Sequence, residues 1–204
     1  QHSLVSDSTG RSYNCQLMVT LFHHEPIVKP FIPIIQANNN SKLERIIPPG
    51  KDWLYFEIFC KPFRADLVLL QYIIPFLKVN RKSIKIWFFI RYSEGGEHLR
   101  LRLQLTPHAN AYELISQLSE YLSNDINTGL VGDFRLRTYK REVYRYSYEN
   151  MLNVEKHFGV DSAYVLQLLR RNLSDSAKYQ LCISLLENIR KGGSISEEDF
   201  NAMV

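Results

Sequence analysis

The sequence predicts an α+β fold: a mainly antiparallel sheet with helices packed on one side and a helical C-terminal part. Three observations predict it. Apolar, β-rich runs occupy residues 53–60, 85–92 and 98–105, with the turn-forming Ser93-Glu94-Gly95-Gly96 between the last two, which is the signature of an antiparallel hairpin. Around these runs apolar residues return at the 3.6-residue helical period. The last third carries the helical period alone, so strands and helices are segregated.

In chain order, residues 13–22 hold the β-rich Leu17-Met18-Val19-Thr20-Leu21 behind the turn signal Asp7-Ser8-Thr9-Gly10. Residues 23–52 carry Pro26, Pro30, Pro33, Pro48 and Pro49 and the polar run Asn38-Asn39-Asn40-Ser41. Proline removes ladder donors and Asn and Ser favour turns, so this stretch is expected to be a connector across the surface without long regular elements. Trp53 to Cys60 reads as a strand buried on both faces. Leu67, Leu70, Ile74 and Leu77 mark a helix that Pro75 should kink or shorten. After the hairpin, Leu114, Ile115, Leu118, Tyr121 and Leu122 mark a helix, and residues 134–139 another strand. Val154, Phe158, Val165 and Leu168 mark one late helix; Leu181, Leu185 and Ile189 mark the next, ended by Gly192-Gly193. Ser194 with Glu197 forms a capping box for a last helix.

Composition narrows the function classes. Hydrophobic residues make up 45% of the 204, enough for a sizeable core. The 25 basic and 21 acidic side chains leave a net charge of only +4, a weak argument for nucleic acid; local basic clusters suit an acidic or carboxylate-bearing ligand instead. Cys15, Cys60 and Cys182 lie far apart in apolar runs and read as buried free thiols in a reducing compartment. No Cys/His spacing suggests zinc, no apolar run approaches the roughly 20 residues of a membrane span, and no signal peptide is visible. A chain that starts at Gln1 rather than Met reads as a fragment, a processed chain or a trimmed one.

Two charged segments carry the chemistry. In His98-Leu99-Arg100-Leu101-Arg102-Leu103-Gln104-Leu105 the four leucines share one face and must meet the core. His98, Arg100, Arg102 and Gln104 share the other. Two guanidiniums on one face offer planar donors to carboxylate or phosphate, although a solvated outer face with salt-bridged arginines gives the same pattern. Tyr139-Lys140-Arg141-Glu142-Val143-Tyr144-Arg145-Tyr146 is basic, aromatic and holds one carboxylate. A helical turn starting there would set Glu142 beside Arg145, either as surface pairing or as an acid/base carboxylate next to an anion-holding Arg.

Taken in order, the segments 53–59, Phe88-Phe89-Ile90-Arg91-Tyr92, His98 to Arg102, Tyr139 to Tyr146 and His157-Phe158-Gly159-Val160-Asp161-Ser162 resemble the thiopeptide-type bacteriocin biosynthesis domain. That domain is also the C-terminal glutamate-elimination domain of class I lantibiotic dehydratases. The resemblance covers about residues 53–170; residues 7–13 and the strand after them resemble the end of the preceding glutamylation domain. It implies three parts: 1–22 as the end of that preceding domain, 23–52 as a Pro/Asn-rich linker, and 53–204 as an elimination-type domain that stops short of its C-terminal end. The implied reaction is β-elimination of glutamate from glutamylated Ser/Thr of a precursor peptide, giving dehydroalanine or dehydrobutyrine. By motif position, Arg100, Arg102, Glu142 and Arg145 are its catalytic residues and His98, Arg91, Arg141 and Tyr146 contact substrate. No metal or cofactor is implied, glutamyl-tRNA being used by the parent's other domain, so this region needs no nucleic acid contact. The implied partners are the glutamylated precursor, with a lanthionine cyclase, a transporter and a second copy of the chain as further candidates. The implied place is the cytoplasm, with a link through a complex to the inner face of the membrane.

Two departures are visible. Family members often have Gly-Gly after the Arg-Tyr pair, where this chain has Ser147-Tyr148. The family also uses a His in a helical segment beyond the last helix read here. Two other readings are a thiopeptide-type cyclase relative, which tends to lose the charged elimination residues, and a non-catalytic peptide-binding scaffold, in which those side chains would be dispersed.

Overall fold

The computed structural model describes residues 4–6, 12–14, 43–171, 173–192 and 196. The chain divides into two units, 1–38 and 39–204. The described part of the first is an antiparallel pair, β1 (Leu4–Ser6) and β2 (Ser12–Asn14), with Leu4 opposite Asn14. The expected turn at 7–10, strand at 17–21, connector up to residue 42 and capping box of Ser194 and Glu197 lie outside the described residues, as does Cys15.

The second unit begins with β3 (Ile46–Ile47) and β4 (Trp53–Cys60). A helical stretch follows: α1 (Pro62–Val68), a π-helical turn (Leu69–Ile73) and α2 (Ile74–Val79). Pro75 explains the π turn. It has no N–H for the carbonyl one turn back, and the chain widens rather than breaks: Ile74 donates to the carbonyl of Leu69, five residues away. Then come β5 (Ile84–Tyr92), β6 (His98–Leu105), α3 (Ala111–Asn127), β7 (Val131–Arg137), β8 (Tyr139–Lys140), α4 (Val143–Arg170) and α5 (Asp175–Gly192).

The sheet order is β5-β6-β4-β7, with every neighbour antiparallel. The helical stretch from β4 to β5 passes over β6, and α3 passes over β4, which makes a ferredoxin-like split β-α-β-β-α-β arrangement. Strand alternation sends Leu54, Phe56, Ile58, Leu99, Leu101 and Leu103 to one face, each at most 1% exposed, where α1, α2 and α3 cover them. Each such side chain contributes about 1.5–3 kcal/mol. Asn110 caps α3, accepting from the backbone N–H of Tyr112 and Glu113.

β5 is an edge strand, and α4 closes it. The Ser162 hydroxyl accepts from Phe89 N–H at 3.1 Å and donates to its carbonyl at 3.4 Å. A side chain at Gly159 would come within 3.2 Å of the Trp87 carbonyl, so glycine permits the approach. Leu166 of α4 joins the helix-covered core, while Phe158 joins a second cluster of Ile47, Trp53, Tyr55, Phe88 and Tyr139 on the opposite face. β3 pairs with β8 and buries Ile47, so residues 43–52 are built into this unit.

Ser147 breaks α4 near its start, with φ 61° and ψ 161°. A side chain in that region costs about 1–3 kcal/mol, and a glycine at this position would relieve it. Against this, the Ser147 hydroxyl accepts from Asn150 N–H at 3.4 Å, and glycine frees the unfolded chain. Ser147→Gly is therefore expected to stabilise the unit by about 0.5–1 kcal/mol in urea denaturation. A loss of stability would mean that the cap outweighs the strain.

Cys60 is buried, and burial pushes its thiol pKa up. Cys182 is exposed, contrary to expectation; α5 stands largely in solvent, with Tyr179 and Ile183 exposed too. Among the described residues no helix is long and apolar enough to cross a membrane.

Candidate active site

The face of the sheet away from α1–α3 carries the polar side chains. On β6 these are His98, Arg100, Arg102 and Gln104, as alternation requires. Register sets Arg102 between Tyr55 of β4 and Phe88 of β5, and Arg100 between Glu57 and Ile90.

Arg102 is 8% exposed. Its guanidinium carbon lies 4.7 Å from the Tyr55 ring centre, 5.0 Å from Tyr139 and 5.4 Å from Phe88. Its Nε is buried with no hydrogen-bond partner, and no described carboxylate forms an ion pair with it. Burial pushes its pKa down, while the Tyr139 and Tyr55 hydroxyls oppose the shift; an arginine nevertheless keeps its charge. Each aromatic face returns about 0.5–2 kcal/mol to such a cation. An uncompensated buried charge costs several kcal/mol. Three rings together return about 1.5–6 kcal/mol, comparable to that cost, but a ring face is no hydrogen-bond acceptor for the unmet Nε, so the position suits an incoming anion.

Arg100 is held differently. Its guanidinium carbon lies 3.3 Å from the Tyr92 ring centre, its Nε donates to His98 Nε2 at 3.1 Å, and Glu57 Oε1 stands 4.0 Å away. Glu57 also accepts from the Tyr55 hydroxyl at 2.7 Å. Burial, then that hydrogen bond, push the Tyr55 pKa up to about 12, so Tyr55 is a neutral donor at neutral pH.

The opposite wall comes from β8 and the start of α4. Glu142 precedes the helix, and Arg145 Nη1 lies 3.2 Å from Glu142 Oε2, the pairing expected of a helical turn. Behind them a buried ion pair anchors the wall. Arg141 Nε and Nη2 donate to the two oxygens of Glu155 at 2.7 and 3.1 Å, and Nη1 donates to the Glu44 carbonyl at 2.8 Å. The Tyr139 hydroxyl also donates to Glu155, at 2.9 Å. Burial and Glu155 push the Tyr139 pKa upward. Burial opposes the charge on Arg141, but its bonds to Glu155 outweigh this and raise its pKa.

These walls enclose a cavity of about 160 Å³. Arg100, Arg102, Glu142, Arg145 and Tyr146 all line it, with Lys140 and the rings of Phe88, Tyr92, Tyr139 and Phe158. Four basic groups thus face one carboxylate, a balance that favours an anionic ligand. Three residues expected to contact substrate are not among its lining. Arg91 lies on the helix-covered face of β5, opposite in parity to Phe88 and Tyr92, and pairs with Asp66. Arg141 is spent on Glu155, and His98 sits behind Arg100. Sequence reasoning missed Tyr55, Glu57, Tyr92 and Tyr139; a carboxylate inside an apolar strand at Glu57 was the available signal. Among the described residues no group of three or more His, Cys, Asp or Glu could hold a metal ion.

Comparison with known proteins gives this geometry a family. The family model described as "Lantibiotic biosynthesis dehydratase C-term" matches residues 53–200. The subtilin biosynthesis protein SpaB of Bacillus subtilis is 25% identical over 166 residues, covering 81% of this chain and 16% of SpaB. The nisin biosynthesis protein NisB of Lactococcus lactis subsp. lactis is 28% identical over 122 residues, covering 59% of this chain and 12% of NisB. The crystal structure of the tRNA-dependent lantibiotic dehydratase MibB from Microbispora sp. 107891 matches with a TM-score of 0.51 at 27% identity, over 62% of this chain and 12% of that one. The chain therefore spans a small fraction of the length of these relatives. The family match runs from β4 past α5 and takes in both charged walls of the cavity: the chain belongs to the lantibiotic biosynthesis dehydratase C-terminal family.

Proposed function

We propose that this chain carries the elimination half of Ser/Thr dehydration in a lantibiotic precursor peptide. Residues 53–204, with 43–52 built onto them, act as the elimination unit, residues 1–22 end a preceding glutamylation-type unit, and the stretch between connects them. The substrate is a Ser or Thr whose hydroxyl is esterified with glutamate. A base removes the α-proton, the electron pair forms the Cα=Cβ bond, and the Cβ–O bond breaks to release glutamate as a carboxylate. The departing acid has a pKa near about 4, so it leaves far more readily than hydroxide. The remaining difficulties are a weakly acidic proton and negative charge developing on the carbonyl oxygen and leaving group.

The cavity offers a group for each. Arg102 receives a glutamyl carboxylate among its three rings. Arg100 stabilises the developing oxyanion. Glu142, held by Arg145, is the carboxylate on the wall that takes the proton. No metal or organic cofactor enters this scheme. The observation that carries the reading is Arg102, a buried guanidinium with no described carboxylate paired to it and its Nε unmet. Convergence of the charged side chains on one cavity also favours it over a scaffold, which needs no such cavity.

The experiment is mass spectrometry of a synthetic peptide carrying a glutamyl ester on one serine, incubated with the full-length parent of this chain. Dehydroalanine plus glutamate is expected. Serine plus glutamate would mean ester hydrolysis, and unchanged ester would remove the reading.

A further inference from the structure

We infer that His98 is a positioning residue whose neutral imidazole fixes the guanidinium of Arg100, rather than a group that contacts substrate. The inference rests on the elimination reading for what Arg100 then does.

His98 is 5% exposed. Its Nδ1 lies 2.6 Å from the Gly96 carbonyl oxygen. A carbonyl only accepts, so Nδ1 carries the hydrogen. Its Nε2 lies 3.1 Å from Arg100 Nε. An arginine only donates, so Nε2 presents its lone pair. One protonation form satisfies both contacts, the neutral Nδ1–H tautomer. The opposite tautomer sets N–H against N–H at Arg100 and lone pair against lone pair at Gly96.

The ring is fixed on both sides. Phe59 stacks on it at 4.6 Å between centres, and Tyr92 meets it edge-on at 5.5 Å. Gly96 has φ +114°, a conformation open mainly to glycine, and the turn closes through Gly96 N–H to the Ser93 carbonyl at 3.0 Å. The hairpin turn thus delivers the carbonyl that sets the tautomer. A guanidinium is planar, so fixing Nε against His98 and the plane against Tyr92 also fixes the direction of both Nη groups. The two arginines of β6 therefore differ: Arg100 is aimed by the protein, whereas Arg102 is framed by rings alone.

Two substitutions separate the two ring nitrogens. Gln extends as far as Nε2 and keeps an oxygen acceptor for Arg100. Asn extends only to Nδ1 and keeps a donor for Gly96. With the glutamyl-serine peptide as substrate, His98→Asn is expected to lower kcat by about tenfold to a hundredfold with little change in KM, as for a misaimed catalytic contact. His98→Gln should remain within about threefold of the unsubstituted protein, too little to mean a lost stabilising contact. A packing role alone would order the variants by their thermal stability instead.

NMR supplies a readout that needs no turnover. Nitrogen shifts of His98 should show Nδ1 protonated and Nε2 not, and Arg100 Nε–H should be protected from exchange in the unsubstituted protein and His98→Gln but not in His98→Asn. Equal loss of activity in both variants with elimination intact would overturn the inference alone. A protein that never eliminates glutamate yet shows this tautomer and protection would remove the function while leaving His98 as the holder of Arg100. The opposite tautomer, or unprotected Arg100 Nε–H, would overturn the positioning role whatever the activity.

Discussion

With Arg102 replaced by alanine in the full-length parent, the precursor peptide is expected to receive glutamate in the preceding unit and to keep it. The expected loss in elimination rate is a hundredfold or more, from about 3 kcal/mol of charge stabilisation removed at the leaving carboxylate. Lysine should rescue little. It keeps the charge but loses the planar fork that holds a carboxylate at two points, and its compact ammonium is more costly to hold dry among Tyr55, Phe88 and Tyr139. Stability should move the other way. Arg102 is a buried charge without an ion-pair partner among the described residues, so Arg102→Met, which restores apolar volume, is expected to raise the melting temperature while abolishing elimination. Mass spectrometry of a coexpressed precursor reads the chemistry, and calorimetry reads the stability. Fully dehydrated precursor from Arg102→Ala would place Arg102 outside the site. Precursor without any glutamate would show that folding or the earlier step had failed.

The second large effect lies behind the cavity. Glu155→Ala removes the partner of a buried arginine, leaving Arg141 charged and bound only to the Glu44 carbonyl, and freeing the Tyr139 hydroxyl. Breaking one side of such a pair costs about 3–5 kcal/mol, a large share of the roughly 5–15 kcal/mol that stabilises an ordinary domain. Arg141→Met combined with Glu155→Leu should be much milder, because no buried charge is then left alone. Urea denaturation of the single and double variants measures the difference. A double variant as unstable as Glu155→Ala would assign the cost to shape rather than to unpaired charge.

Much of this was legible in the sequence because strand alternation is a strict code. The leucines of β6 had to face the core, which put Arg100 and Arg102 together on the other face. The three-residue step from Glu142 to Arg145 left a continued strand or a helical turn open, and the start of α4 at Val143 decides for the turn. Arg91 shares a motif with Phe88 and Tyr92 but not their face, and it pairs with Asp66 away from the cavity. The same alternation, applied to Phe88-Phe89-Ile90-Arg91-Tyr92, sends Arg91 away from Phe88 and Tyr92. Arg141 could not be separated from its neighbours in this way, since its fate depends on Glu155, fourteen positions later on α4 and brought back only by folding. Tyr55 and Glu57 were hidden in a strand apolar on both faces. Gly159 and Ser162 matched a family motif before their purpose was visible: one admits the edge strand, and the other bonds to it.

The most direct test uses two synthetic glutamyl-serine peptides, one with hydrogen and one with deuterium at the serine α-carbon. The account predicts that the unsubstituted protein forms dehydroalanine from both, releases the deuterium to solvent, and turns over the deuterated peptide more slowly, whereas Arg102→Ala forms dehydroalanine from neither at a comparable rate. Serine that retains its deuterium, with glutamate released equally by both proteins, would contradict it.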